Sequence, residues 1–252
     1  PQVITSLQTL PRLSINRLEI TDARLEGPQW AVTDLDLSLR NITLENGAWH
    51  SDNGQLSMNA SDIIYQQIHL LDPIINADLS PQGVVLRQVT SRWEGGMVRT
   101  SGQWLRQPGT LALNDVIIAG LEYTLPETWK TLWQQTLPEW LKTFTVKKLS
   151  ASRNLLIDVN PDFPFQFTAL DGDGAGLTLV QNREWGIWSG KLSFTAAAAT
   201  LNRTDIRRPS ITLNASPDTL SISELSAFTE NGLLDATASI DQTPRSEERR
   251  VG

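Results

Sequence analysis

Apolar and polar residues alternate with a period of two along most of the chain. The alternation is clear at residues 35–39, where the sequence reads LDLSL, and it recurs at 56–60 and 163–167. Residues two apart lie on the same face of a strand, so this pattern is typical of strands with one buried face. Gly-containing turn sequences separate such stretches at 45–47, 52–54, 94–96, 171–174 and 230–232. The pattern predicts a mainly β protein made of antiparallel hairpins.

One segment, residues 126–144, departs from this alternation. Trp129 and Trp133 have helical spacing and follow a proline suited to the first turn of a helix. We expect one short helix, which kinks or restarts at Pro138. With Trp140, these tryptophans are predicted to cap the open edge or end of the sheet. Contact with a membrane interface is the alternative, but the segment's balanced charges disfavour it.

Two parts of the chain resemble each other. Val84–Trp104 aligns with Leu220–Ile240 at an offset of 136 residues, and both read as strand, tight turn, strand. A weaker similarity relates residues 13–20 to 144–151, and in each the apolar alternation breaks as at a β-bulge. The sequence therefore predicts a repeated hairpin unit within an extended sheet.

The predicted division of the chain follows from these features. A first β-rich half covers residues 1–125, a Trp-rich helical insertion covers 126–144, and a second β-rich half covers 145–244. Residues 245–252 resemble a translated sequencing adapter, so they are excluded from fold reasoning. Since the chain begins with Pro1 and has no leader-like start, we expect it to be an internal fragment of a longer protein.

Composition narrows the classes of function. The 252 residues carry a formal net charge of -7, the wrong sign for binding nucleic acid. The absence of cysteine excludes disulfides, thiolate metal sites and a cysteine nucleophile. No apolar run in the sequence reaches the 18 or so residues that span a bilayer.

Sequence motifs offer little evidence of chemistry. The glycine-rich residues 171–176 lack the ligand spacing of an EF-hand and are not followed by a helix, so they are interpreted as a flexible hairpin turn. His50 and His69 have no patterned carboxylate partners, and Asp34 and Asp36 are interpreted as polar residues on one strand face. No catalytic residue, cofactor site or metal site is predicted.

Several long, tryptophan-bearing stretches resemble the AsmA family of bacterial envelope proteins. They are residues 18–25, 30–41, 91–102 and 222–230, and the resemblance extends from about Pro1 to Pro244. It implies a non-enzymatic protein held in the inner membrane of a Gram-negative bacterium by an N-terminal helix absent from this sequence, with its body in the periplasm. It also implies a long twisted sheet curled into an apolar groove, which in larger relatives is thought to move phospholipids toward the outer membrane.

The leading hypothesis from this resemblance is a fragment that binds or conducts phospholipid acyl chains and supports outer-membrane homeostasis. One alternative is an assembly factor that regulates protein targeting to the membrane or engages outer-membrane proteins through exposed strand edges. A carbohydrate-binding or hydrolytic β module ranks last, and an ordinary sandwich core would explain the same strands without a groove. The groove-facing candidates, chosen because they share a face within their strands, are Leu35, Leu37, Leu39, Leu56, Met58, Phe163, Phe165 and Phe167.

Overall fold

A computed structural model of the protein describes residues 12–242, so the adapter-like residues 245–252 lie outside the described residues. Strands make up 75% of the structure, which confirms the mainly β prediction. The described residues form two compact units, residues 12–108 and 109–242. Residues 109–125, which the sequence places in the first β-rich half, belong to the second unit.

The first unit is an antiparallel meander. The strands are β1 (Arg12–Gly27), β2 (Trp30–Glu45), β3 (Ala48–Trp49), β4 (Gly54–Asn59), β5 (Asp62–Tyr65), β6 (Ile68–Ser80), β7 (Gly83–Trp93) and β8 (Gly96–Leu105). They follow one another across the sheet in chain order, and β4 and β5 lie end to end between β2 and β6. The remaining hairpins are β1–β2, β2–β3, β6–β7 and β7–β8.

The elements of the second unit are β9 (Thr110–Ala119), β10 (Glu122–Thr124), α1 (Trp129–Gln134), β11 (Thr143–Asp158), β12 (Phe165–Gln181), β13 (Glu184–Thr195), β14 (Ala198–Leu201), β15 (Thr204–Ala215), β16 (Thr219–Thr229) and β17 (Gly232–Asp241). The same kind of meander runs from β11 to β17, with β13 and β14 lying end to end between β12 and β15. Two earlier strands, β9 and β10, pair with β11 in parallel, an exception to the predicted antiparallel pattern.

The two meanders are copies of one arrangement with six successive strand positions, one of which is filled by two short strands lying end to end. The pairs β1–β2 and β11–β12 begin each copy, and the hairpins β7–β8 and β16–β17 end it. The last hairpins share a register shift, between Leu86 and Val89 in one and between Ile222 and Leu225 in the other. The repeat predicted from the sequence is therefore confirmed, and it extends over the whole of each meander.

Positive-φ residues and register shifts recur at equivalent positions in the strands of the two copies. Asp72 in β6 and Arg208 in β15 both have positive φ, both precede proline, and they are related by the 136-residue offset. Asp22 and Arg153 mark the corresponding register shifts in the first strand of each copy. Such bulges bend a strand and increase its twist, so the repeat conserves curvature as well as pairing.

The predicted short helix is confirmed, but it contains only residues 129–134, and Phe144 lies in β11, where it pairs with β9 and β12. The predicted turn at 171–174 is wrong, because this segment is the middle of β12. Its glycines occupy strand positions because a Cβ on Gly172 would lie 2.8 Å from the Phe194 ring.

Candidate functional site

One face of the first unit is apolar across successive strands. Leu37 in β2 pairs with Ile20 in β1 and Met58 in β4, and directly paired residues share a face of the sheet. The next row pairs Leu39 with Leu18 and Leu56. The same face continues through β6 and β7 as Ile75, Ala77, Leu86 and Val89.

The opposite face of this unit is polar. Ser38 pairs with Ser57, whose hydroxyl donates to Asn76 Oδ1 at 2.8 Å. The Asn76 amide in turn donates to Gln88 Oε1 at 3.2 Å. A hydrogen-bonded polar face behind an apolar one gives the sheet two chemically different surfaces.

The second unit repeats this division with different side-chain volumes. Gly172 and Gly174 occupy the apolar rows of β12, between β11 and the larger Leu192 and Phe194 of β13. The apolar face continues through Ile211 of β15, which pairs with Phe194, and through the residue of β16 that pairs with Ile211. The intervening polar row consists of Ser150, Asp173, Ser193, Thr212 and Glu224.

The groove candidates of the first unit lie together on its apolar face. Leu37 pairs with Met58 and Leu39 with Leu56, and all four side chains are half-buried. Leu35 is 4% exposed and belongs to the small core. These positions form a continuous apolar surface that is only partly covered by the protein itself.

The phenylalanine candidates lie in the second unit. Phe165 and Phe167 are on one strand, with ring centroids 5.7 Å apart, and they pair with Leu201 and Ala199. Phe163 precedes the strand in a bend and is 49% exposed, so its predicted place in the same strand is wrong. Pro164 has no N–H to donate to a ladder, and β12 accordingly begins one residue later.

Tryptophans close one end of each copy. Trp49 packs against Trp104 at 5.9 Å, and the Arg106 guanidinium lies 4.5 Å from the Trp49 ring. The equivalent of Trp49 in the second copy is Trp185, which is stacked at 5.6 Å by Trp133 of α1. Trp133 thus packs on a tryptophan at the start of β13 while remaining 46% exposed, and the capping role stays a prediction.

The other predicted tryptophans of this segment differ in their surroundings. The indole of Trp129 donates to Asp158 Oδ2 at 3.0 Å, which joins α1 to the end of β11. Trp140 lies in the following loop and is 57% exposed. Sequence reasoning missed Trp185 and Phe194, although the 136-residue offset relates them to Trp49 and Met58.

A small charged cluster holds the loop after α1. Arg183 donates from Nε to the Leu137 carbonyl at 2.6 Å and from Nη1 to Glu139 Oε1 at 2.8 Å. Lys142 lies 3.2 Å from the other carboxylate oxygen. The hydrogen bond from Lys142, and then the positive charge of Arg183, lower the pKa of Glu139.

Asp34, Asp36 and His69 have structural contacts. Asp34 accepts a hydrogen bond from Ser61 at 3.0 Å, and Asp36 accepts one from the Asp22 N–H at 3.0 Å. His69 lies 3.7 Å from Asp62. Within residues 12–242, no group of three or more His, Asp or Glu side chains is arranged to hold a metal ion.

These features define a mainly antiparallel sheet protein with a duplicated meander and with one apolar and one polar face in each copy. The chain is 62% identical over 241 residues to the AsmA family protein YicH of Escherichia coli (strain K12), a match that covers 96% of the chain. The similarity confirms the AsmA family assignment predicted from the sequence. The chain spans 42% of that relative's length.

Other comparisons add no relative. No family model and no solved structure matches the chain. In the part of the chain that the structure describes, no helix combines the length and the apolar character needed to cross a bilayer.

Proposed function

We propose that this chain is part of a non-enzymatic envelope protein that binds phospholipid acyl chains on the apolar faces of its two units. The observation that carries the proposal is the continuous apolar face, which passes from Leu18 through Leu39 and Leu56 to Leu86 in the first unit. Half-buried side chains on such a face leave apolar area that an acyl chain can cover. Each methylene removed from water contributes about 0.8 kcal/mol.

Curvature supports the same proposal. Within each unit, a bulge bends the strand that carries it, at Asp72 in the first unit and at Arg208 in the second, and a bent strand can follow an acyl chain more closely than a flat one. In the proposed protein, the body stands in the periplasm, an anchor outside this sequence holds it at the inner membrane, and the lipid passes toward the outer membrane.

Native mass spectrometry with lipid extraction tests this function on protein purified from bacterial envelopes. We expect stoichiometric phospholipid, lost in Leu37→Asp and in Phe194→Asp. Ser38→Asp and Ser193→Asp are matched controls, because each alters the adjacent residue on the polar face. A folded, lipid-free protein, or equal lipid loss in the apolar-face variants and their controls, would overturn the proposal.

A second candidate function is favoured by strand β17. Among the described strands it pairs only with β16, and all ten of its residues are exposed. An exposed edge of this kind can accept a further strand by β-augmentation, as an assembly factor for outer-membrane proteins requires. Binding of an unfolded porin segment that Leu234→Pro abolishes, in a protein free of lipid, would place this function first.

A further inference from the structure

A bulge in β15 brings two adjacent arginines to one pocket. In a regular strand, Arg207 and Arg208 would point to opposite faces. Here Arg208 has a φ of 50°, and the register with β16 shifts just after Arg207. Both residues consequently line one open pocket of about 380 Å³, together with Ala197 and Phe228.

Neither guanidinium group is neutralised by the protein. Within residues 12–242, Arg207 and Arg208 form no ion pair and no side-chain hydrogen bond. The neighbouring carboxylate on β15, Asp205, accepts instead from Thr200 Oγ1 at 3.3 Å. Two like charges therefore share a pocket whose other walls are uncharged.

The first copy of the repeat has different side chains at the equivalent positions. The 136-residue offset places Asp72 where the second copy has Arg208, and Arg92 where it has Phe228. Asp72 Oδ2 and Arg92 Nη1 form an ion pair at 3.0 Å. The first copy thus supplies its own counter-charge at the bend, whereas the second copy has two cations and an exposed aromatic ring.

We propose that Arg207 and Arg208 bind a phosphate-bearing anion, with Phe228 as the apolar wall of the site. Guanidinium groups match the oxygens of phosphate in charge and geometry, and their hydrogen bonds to it are charge-assisted. Phe228 is 45% exposed, so its ring is available to a carbon skeleton attached to the phosphate. The shared chemistry is the phosphate group, whether it is free or carried by a lipid headgroup.

This site is separate from the proposed acyl-chain surface. Arg207 pairs with Ala198 and Phe228, whereas the adjacent residue Ile206 pairs with Ala199 and so lies in the row of Phe167. Neighbouring rows lie on opposite faces of the sheet. Loss of anion binding and loss of acyl-chain binding are therefore distinguishable results.

Isothermal titration calorimetry of the full chain at low ionic strength tests the site. The probes are inorganic phosphate and monomeric dihexanoylphosphatidylglycerol. We expect Arg207→Gln combined with Arg208→Gln to weaken binding at least about tenfold, because two charge-assisted contacts are lost. Arg153→Gln, which alters another exposed arginine at a positive-φ position, is the matched control and is expected to bind as the unaltered protein does.

A second variant transfers the ion pair of the first copy into the second. Arg208→Asp combined with Phe228→Arg reproduces the Asp72–Arg92 pair, so it is expected to fold and to lose anion binding. Binding of both probes supports a site for phosphate itself, and binding of the lipid alone supports a headgroup site. No binding of either probe, or equal binding by the unaltered protein and both double variants, overturns the proposal.

Discussion

Gly174 shows how a single residue sets the packing of the apolar face in the second copy. A Cβ at this position would lie 2.7 Å from Leu177 Cδ1 and 3.1 Å from Leu149 Cβ. Gly174→Val is expected to lower the free energy of unfolding by about 1–3 kcal/mol, because the added methyl groups force these neighbours apart. Urea unfolding followed by circular dichroism measures the change.

The control for this substitution is the next residue. Ala175 is exposed on the opposite face, so Ala175→Val is expected to change the free energy of unfolding by less than about 0.5 kcal/mol. Equal stability of the two variants would show that the space above Gly174 is not filled as described.

Glu139 gives the loop after α1 a pH dependence. Its pKa is lowered by the hydrogen bond from Lys142 and by the charge of Arg183, so the folded state binds fewer protons than the unfolded state. The stabilisation is therefore present above the ordinary pKa of 4.5 and is lost as the pH falls through the lower pKa of the folded state. The carboxylate is exposed, so the contribution to stability is small.

An NMR titration of the Glu139 carboxyl carbon checks this direction. We expect a midpoint below 4.5 in the unaltered protein and a midpoint closer to 4.5 in Lys142→Gln. Lys147→Gln is the control, since Lys147 is an exposed lysine that forms no ion pair within the described residues. A midpoint that Lys142→Gln leaves unchanged would contradict the assignment.

At the scale of the element, the hairpin β14–β15 has a turn that its sequence does not favour. Asn202 and Arg203 form a two-residue loop, and both have positive φ, at 47° and 66°. An L-residue in this conformation costs about 1–2 kcal/mol, which glycine avoids at a smaller entropic cost. Arg203→Gly is expected to raise the free energy of unfolding by roughly 0.5–1 kcal/mol, measured by urea unfolding.

The turn between β2 and β3 supplies the reverse experiment. Asn46 and Gly47 form the same kind of two-residue loop between β2 and β3, with φ of 53° and 80°. Gly47→Arg is expected to lower stability by an amount comparable to the gain from Arg203→Gly. A loss of stability in Arg203→Gly would mean that the arginine side chain stabilises its hairpin more than its backbone conformation destabilises it.

Sequence periodicity predicts the hairpins well because each strand carries its own alternation and each tight turn its own residues. The segment 171–174 shows the limit: its Asp-Gly pairs resemble a turn, yet they lie inside β12. The reason is non-local, since the space over Gly172 is filled by Phe194, 22 residues further along the chain. The short length of α1 has a similar cause, because Thr143 and Phe144 pair with β9 and Phe144 also pairs with β12.

The apolar face that carries Leu37 and Leu39 could be predicted from the sequence to a similar extent. Alternation identifies Leu37 and Leu39 as sharing a face, but pairing with Met58 and Leu56 depends on the register between strands. The pocket of Arg207 and Arg208 gives no periodic signal, because a bulge places consecutive residues at one site. Comparison of the two copies at the 136-residue offset is the sequence signal that leads to it.

At the scale of the whole molecule, each copy ends in a strand that pairs on one side only among the described strands, β8 with β7 and β17 with β16. The first copy ends with β8, whose Gly102 is buried, whereas the second ends with β17, whose equivalent Ala238 is exposed. Strand β17 also exposes Leu234 by 50% and Ile240 by 58%, and it contains no Lys, Arg or Pro that would discourage edge pairing.

We therefore expect the isolated chain to self-associate through β17. Size-exclusion chromatography with light scattering should show a mass that rises with protein concentration, and Leu234→Lys combined with Ile240→Lys should give a monomer at every concentration, because charges on an edge strand oppose pairing. Val85→Lys combined with Met97→Lys is the control, since it adds the same charge at exposed apolar positions of the first copy. Two results would each show that the exposed edge of β17 does not mediate association. One is an unaltered chain that is monomeric at every concentration, and the other is a control that dissociates as fully as the β17 variant.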